Sequence, residues 1–191
     1  MEKENLLLVG ICMESITTLS HAFLKPALHS QALCLDATLG YGHDAGFFLD
    51  QNVHRVYAYE LQSTLAQETQ KRLDSSRLCL FQKNHEAIGE DLAFLQGKLD
   101  AAIFNFGYDP KTKAMTTQVN SSLKAVKATL SLLRQKGRLA LVFYPHPQGQ
   151  EEKETILKWL QQNPDVDVLS ITHPFKLNAP CLVCVEKIHS S

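Results

Sequence analysis

No apolar run in this 191-residue sequence is long enough to span a bilayer. The stretch "LLLVGICM" near the N-terminus is short and is surrounded by Glu2, Glu4 and Glu14. It has no basic leader, so no signal peptide is expected and a cytoplasmic protein is the reading. Cysteine is too sparse for a disulfide framework, with five residues at 12, 34, 79, 181 and 184. Cys181 and Cys184 have CxxC spacing but fall in "CLVCVEKI", which reads as a strand. Positions i and i+3 of a strand point to opposite faces, so core packing is expected rather than a shared metal. No histidine cluster has zinc spacing, and no metal is expected. Net charge is only −1, which argues against a whole-molecule polyanion binder. Linkers, repeats and low-complexity tracts are absent, so residues 1–191 read as one domain.

What is present is an alternation of strand-like and helix-like runs. Ile16, Leu19 and Phe23 have helical spacing, placing a helix over 15–25 ahead of the first strand. Strands are expected at 32–36, 56–60, 77–81, 100–105 and 138–144. Between them lie helices marked by "HDAGFFLDQ", by Leu61, Leu65 and Leu73, by Ile88, Leu92 and Leu95, and by Val119, Leu123, Val126, Leu130 and Leu133. Gly137 is expected to end the last of these, and another helix is expected over 151–162. Two final strands, "VDVLSI" and "CLVCVEKI", lack room for a crossover helix and should pair antiparallel. The pattern predicts an α/β fold: a doubly wound, mostly parallel seven-stranded sheet closing in a C-terminal antiparallel hairpin.

The segment "LDATLGYGHDAGFFL" places a glycine turn at the carboxyl end of the first strand, where such sheets bind ligands. Gly40 and Gly42 allow close backbone approach. A dinucleotide loop would set pyrophosphate on the following helix, but its third glycine would come one position earlier than Gly46. Asp36 and Asp44 would also repel pyrophosphate. They suit S-adenosylmethionine, which has no phosphate and carries a sulfonium and an ammonium. Glu60, ending the second strand, can accept ribose hydroxyls of either cofactor. Asn84 and His85, after the third strand, are placed to meet the adenine.

The acceptor side is expected where the fourth and fifth strands end. The Asn105 carbonyl oxygen can accept a hydrogen bond from an amine and hold its lone pair in line with the methyl group. Tyr108 can stack on a base, and His146 is a candidate proton acceptor or substrate contact. Between Asp109 and Glu151 there is no acidic residue, while Lys111, Lys113, Lys124, Lys127, Arg134, Lys136 and Arg138 fall in that window. A basic rim of this kind suits RNA phosphates, with Lys111 and Lys113 nearest the pocket. Lys124 and Lys127 read equally well as a solvated helix face.

These segments together resemble one family. "LDATLGYGHDAGFFL" is similar to the D-A-T-x-G-x-G-x-D-T-x-F-L motif of the small rRNA methylases of bacteria. "YAYE", "NHE", "NFGYDP", "PHPQG" and "APCLVCVEKI" follow in the family's order. The resemblance implies a class I S-adenosylmethionine-dependent methyltransferase with Asp36, Gly40, Gly42, Asp44, Glu60, Asn84, His85 and Asn105 around the cofactor. It also implies Tyr108 and His146 at the substrate. Members of the family methylate the exocyclic amine of 5-aminomethyl-(2-thio)uridine at the tRNA wobble position, so RNA, with tRNA favoured over rRNA, is the expected partner. Related small methyltransferases often dimerise, which makes a homodimer a further expectation. The departures from the pattern ("KTKAM", Asp109, Ser121-Ser122, Pro145, Gln148) all lie on the substrate side. An NAD-dependent oxidoreductase and a non-catalytic cofactor- and RNA-binding protein are the alternatives.

Overall fold

The computed structural model describes residues 14–106, 119–173, 175–176 and 178–189. Seven strands form one sheet: β1 (Leu33–Asp36), β2 (Arg55–Tyr59), β3 (Leu78–Phe81), β4 (Leu99–Phe106), β5 (Leu133–Phe143), β6 (Val166–Ile171) and β7 (Cys181–Lys187). Their order is β3-β2-β1-β4-β5-β7-β6. The first five run parallel, and β7 pairs antiparallel with both β5 and β6, as the short final connection requires. Strand order reverses between β1 and β4, which opens a crevice at their carboxyl ends.

The helices are α1 (Ile16–Leu24), α2 (His43–Asp50), α3 (Ser63–Leu73), α4 (Ile88–Asp91), α5 (Val119–Leu132) and α6 (Pro147–Leu160). Alternating strand side chains feed two cores. Leu35, Phe104, Leu141 and Val183 pack with α4, α5 and α6 on one face. Cys34, Ile103, Val142 and Leu182 pack with α1 and α2 on the other. Cys181 and Cys184 enter different cores, as the period of two demands. Among the described residues, no helix is long and apolar enough to cross a membrane.

Four sequence expectations shift. The periodic helix ends at Leu132, not Gly137, and Leu133 already pairs with Leu99 in the sheet. No glycine cap is needed, because the buried Lys187 ammonium donates to the Leu130 and Leu133 carbonyls at 3.2 and 3.0 Å. Gly137 serves a bulge instead: a Cβ there would lie 2.8 Å from the Arg134 carbonyl and 3.0 Å from that of Leu99. Helix α6 begins at Pro147 rather than 151, with His146 as its N-cap. Leu61 precedes α3 and is exposed. Finally, the run over Ile88, Leu92 and Leu95 is broken into short α4 flanked by 3-10 turns, although it still buries all three.

Candidate active site

The turn after β1 is built by buried carboxylates accepting backbone N–H groups. Asp36 is fully buried; its Oδ1 accepts from Thr38 N (3.2 Å) and its Oδ2 from Ala45 N (2.9 Å). Burial, followed by the nearby Asp44 charge, pushes its pKa well above the usual carboxylate range. Gly40 sits at φ 47 and donates to Glu60 Oε2 at 3.0 Å. A Cβ on it would meet nothing closer than 3.9 Å, so the backbone there faces open space. Gly42 sits at φ 67 and caps α2, but a Cβ on it would fall 2.6 Å from Thr69 Cγ2 of α3. Its glycine serves both the left-handed turn and the close approach of α3.

Glu60 lies one residue beyond β2 and is half-buried. Its Oε1 accepts from Gln62 N at 2.8 Å, so both oxygens are oriented by backbone. A carboxylate has about four lone-pair sites, which leaves room for ligand hydroxyls. Asn84 caps the 3-10 turn after β3, its side chain accepting from Glu86 N at 2.9 Å. His85 is buried edge-to-face against Phe104 of β4, with a hydrogen bond to the Ala37 backbone. Burial lowers its pKa to about 4 against that hydrogen bond, so the ring is neutral at pH 7. Its Nε2 is buried without a partner among the described residues.

Asn105 comes off β4 directly beside this turn. Its backbone N–H donates to Thr38 Oγ1 at 2.7 Å, and its Nδ2 donates to Asp44 Oδ2 at 3.3 Å. A carboxylate only accepts, so the Asn105 group facing Asp44 must be the NH2. That leaves Oδ1, which is buried and has no partner among the described residues. Asp44 is itself 5% exposed and accepts from His21 Nε2 at 2.6 Å. His21 belongs to α1 and stacks on Phe47 of α2, ring centroids 3.9 Å apart.

The structure therefore gathers Asp36, Gly40, Gly42, Asp44, Glu60 and Asn105 around one turn. His85 reaches the turn through Ala37, and Asn84 adjoins it in sequence. His146 sits at the rim after β5, where its Nδ1 accepts from Gly149 N at 3.0 Å as the α6 cap. Tyr108, Lys111 and Lys113 lie outside the described residues. The acid-free window is not one basic rim. Arg134 pairs with Asp100, and Lys136 and Arg138 pair with Glu186, all at the amino end of β5 away from the crevice. Sequence reasoning missed His21, Thr38, Thr69, which donates to the Gly40 carbonyl at 2.8 Å, and Tyr144. The Tyr144 hydroxyl feels Asp44: burial and then that charge raise its pKa. Thr38 was visible in "DATLG"; nothing local marked His21.

The sheet order, the closing antiparallel strand and the carboxylate-lined turn define a class I methyltransferase fold, distinct from the all-parallel dinucleotide-binding sheet. The sequence model of the family described as "Putative rRNA methylase" matches residues 56–186, and the chain belongs to this family of S-adenosylmethionine-dependent methyltransferases. A "putative rRNA-methylase" of Clostridium thermocellum superposes with a TM-score of 0.84 at 26% identity, over 93% of this chain and 100% of that one. A "putative methyltransferase" of Streptococcus mutans, solved with S-adenosylhomocysteine, gives 0.81 at 29% identity over the same shares. The chloroplastic tRNA (mnm(5)s(2)U34)-methyltransferase of Arabidopsis thaliana is 29% identical over 156 residues, covering 73% of this chain. The chain spans 57% of that protein's length.

Proposed function

We propose that the chain methylates an amine nitrogen of an RNA, with tRNA favoured and the exocyclic amine of a modified wobble uridine as the acceptor. The observation that carries this reading is Asn105 Oδ1: a buried acceptor, left open at the end of β4 while Asp44 holds the amide NH2. A buried carbonyl oxygen without a donor costs roughly 1–3 kcal/mol, and an acceptor amine supplies that donor. The name of the Arabidopsis relative, which specifies a modified uridine at tRNA position 34, supports the same substrate class.

The residues fit S-adenosylmethionine on structural grounds. Burial first, and then the like charges of Asp44 and Glu60, raise the Asp36 pKa, and a cation brought beside that cluster relieves the repulsion. Asp36 itself is fully buried, so it acts through its field and through the turn it shapes. Glu60 is aimed to receive ribose hydroxyls, and the open face of Gly40 allows the cofactor to approach the backbone. Asn84 and the buried Nε2 of His85 stand on the adenine side. When bound, the cofactor supplies an electrophilic methyl group on a positively charged sulfur. Asn105 Oδ1 accepts an N–H of the neutral amine and so points its lone pair at that methyl. Tyr144 and His146 border the acceptor, with Tyr108, Lys111 and Lys113 assigned to it from sequence. Little acid–base help is required; alignment and exclusion of water do most of the work.

The test is transfer of labelled methyl from S-adenosylmethionine to tRNA isolated from a strain lacking wobble methylation. Label is expected in the wobble nucleotide. Binding of S-adenosylhomocysteine and of tRNA without label in tRNA or rRNA would instead mark a protein that only binds cofactor and RNA.

A further inference from the structure

The N-terminal helix sends a side chain to the reacting end. His21 leaves α1, stacks flat on Phe47 of α2 (3.9 Å between centroids, 3° between planes) and places Nε2 2.6 Å from Asp44 Oδ1. The other oxygen of Asp44 takes the Asn105 NH2. An asparagine amide can rotate half a turn at little intrinsic cost, and only its partners decide which end faces the substrate. Asp44 decides it here, because a carboxylate rejects the carbonyl end. The Asp44 side chain has about three staggered orientations, and the His21 hydrogen bond holds the one in which its second oxygen meets the Asn105 NH2. Asp44 is 5% exposed, so a wrong rotamer cannot be repaired by water.

We infer that His21 is a positioning residue of the methyl transfer, acting through Asp44 to fix the Asn105 amide with its oxygen toward the acceptor amine. The inference rests on the function proposed above. It assigns a reaction role to α1, a helix outside the residues matched by the family model.

Two variants separate the hydrogen bond from the ring stack. His21→Gln keeps an N–H donor near the Nε2 position and loses the stack; His21→Phe keeps the stack and loses the donor. In His21→Phe, kcat is expected to fall about 10-fold or more, with KM for tRNA and affinity for S-adenosylhomocysteine held within about 3-fold. In His21→Gln, kcat is expected to return to within about 3-fold of the parent. The second readout needs no turnover. The Asn105 side-chain amide, identified in nitrogen-15 spectra by its loss in Asn105→Ala, should exchange slowly with water in the parent and in His21→Gln, and faster in His21→Phe. Equal kcat and equal amide exchange in the parent and His21→Phe overturn the relay. So does a loss shared by both variants in step with thermal stability, which would mark packing alone. A parent chain that methylates no RNA sinks the preceding function, and the amide signal still decides whether His21 holds Asn105.

Discussion

The two ends of the sheet each bury an aspartate and treat it in opposite ways. At the amino end, Asp100 opens β4 and is answered by a guanidinium, an imidazole and a backbone N–H. Arg134 Nε lies 2.5 Å from its Oδ1 and His29 Nε2 3.1 Å, while Leu33 N–H reaches its Oδ2 at 2.8 Å. At the carboxyl end, Asp36 is answered by backbone N–H groups and faces two further acids, Asp44 and Glu60, and among the described residues no lysine or arginine pairs with any of the three. A paired buried charge locks two elements together; a cluster of acids is relieved when a cation is brought beside it, which is the part proposed above for the cofactor. The same residue type thus ties β4 to β5 at one end and shapes the glycine turn among further acids at the other.

Breaking each end should separate activity from stability. The largest effect is expected from Asn105→Ala, with turnover down about 100-fold or more and S-adenosylhomocysteine affinity within about 3-fold, measured by labelled transfer and calorimetry. Equal activity would remove Asn105 from the reaction. Asp100→Ala should cost about 1–3 kcal/mol in denaturant unfolding, because the Leu33 N–H loses its acceptor and the partly exposed Arg134 its partner, while cofactor affinity is kept. Collapse of cofactor affinity in that variant would erase the contrast between the two ends. Glu60→Ala should weaken the cofactor about 10-fold, the loss expected for a hydrogen bond to a charged group, and leave the fold intact. Unchanged affinity would argue against the ribose contact.

The smallest effect is a pH slope. His85 has a folded pKa of about 4 against an ordinary 6.5, so the unfolded chain binds more protons between those values. Its contribution to stability is fully present above 6.5 and is lost as pH falls toward 4. From pH 6.5 to 5.5 this amounts to about 1 kcal/mol. Asp36, with its pKa raised, has the opposite sign: its contribution fades as pH rises above the ordinary carboxylate value. His85→Phe should remove the His85 slope from denaturant unfolding at the two pH values and leave the Asp36 slope. An unchanged profile would mean that His85 titrates normally in the folded chain.

Much of this was legible because strand periodicity and connection length are strong local signals. They placed the parallel strands, the closing hairpin and the opposed cysteines. The turn at 36–46 was legible because its glycines and acids adjoin in sequence. The start of α6 was misread because "PHPQG" resembles a loop. His146 as N-cap with Pro147 at the first helical position is nonetheless a helix-start signal. The end of α5 could not be found locally, since its cap is the ammonium of Lys187, far along the chain. His21 was hidden for the same reason: its partner lies 23 residues away on another helix. Arg134, Lys136 and Arg138 left the basic window because charge counting along the chain cannot see that Asp100 and Glu186 pair with them.

The docking of α1 has a consequence for how the molecule is made. Arg138 of β5 donates to the Phe23 carbonyl at 2.7 Å across 115 positions of sequence and lies over the Phe23 ring. On a ribosome, α1 emerges well before the strand it rests on. The glycine turn can therefore form in a nascent chain before His21 has a surface to hold it in place. Maturation of the reacting end is set by the arrival of β5, and a chain stalled before it should bind cofactor poorly and transfer no methyl.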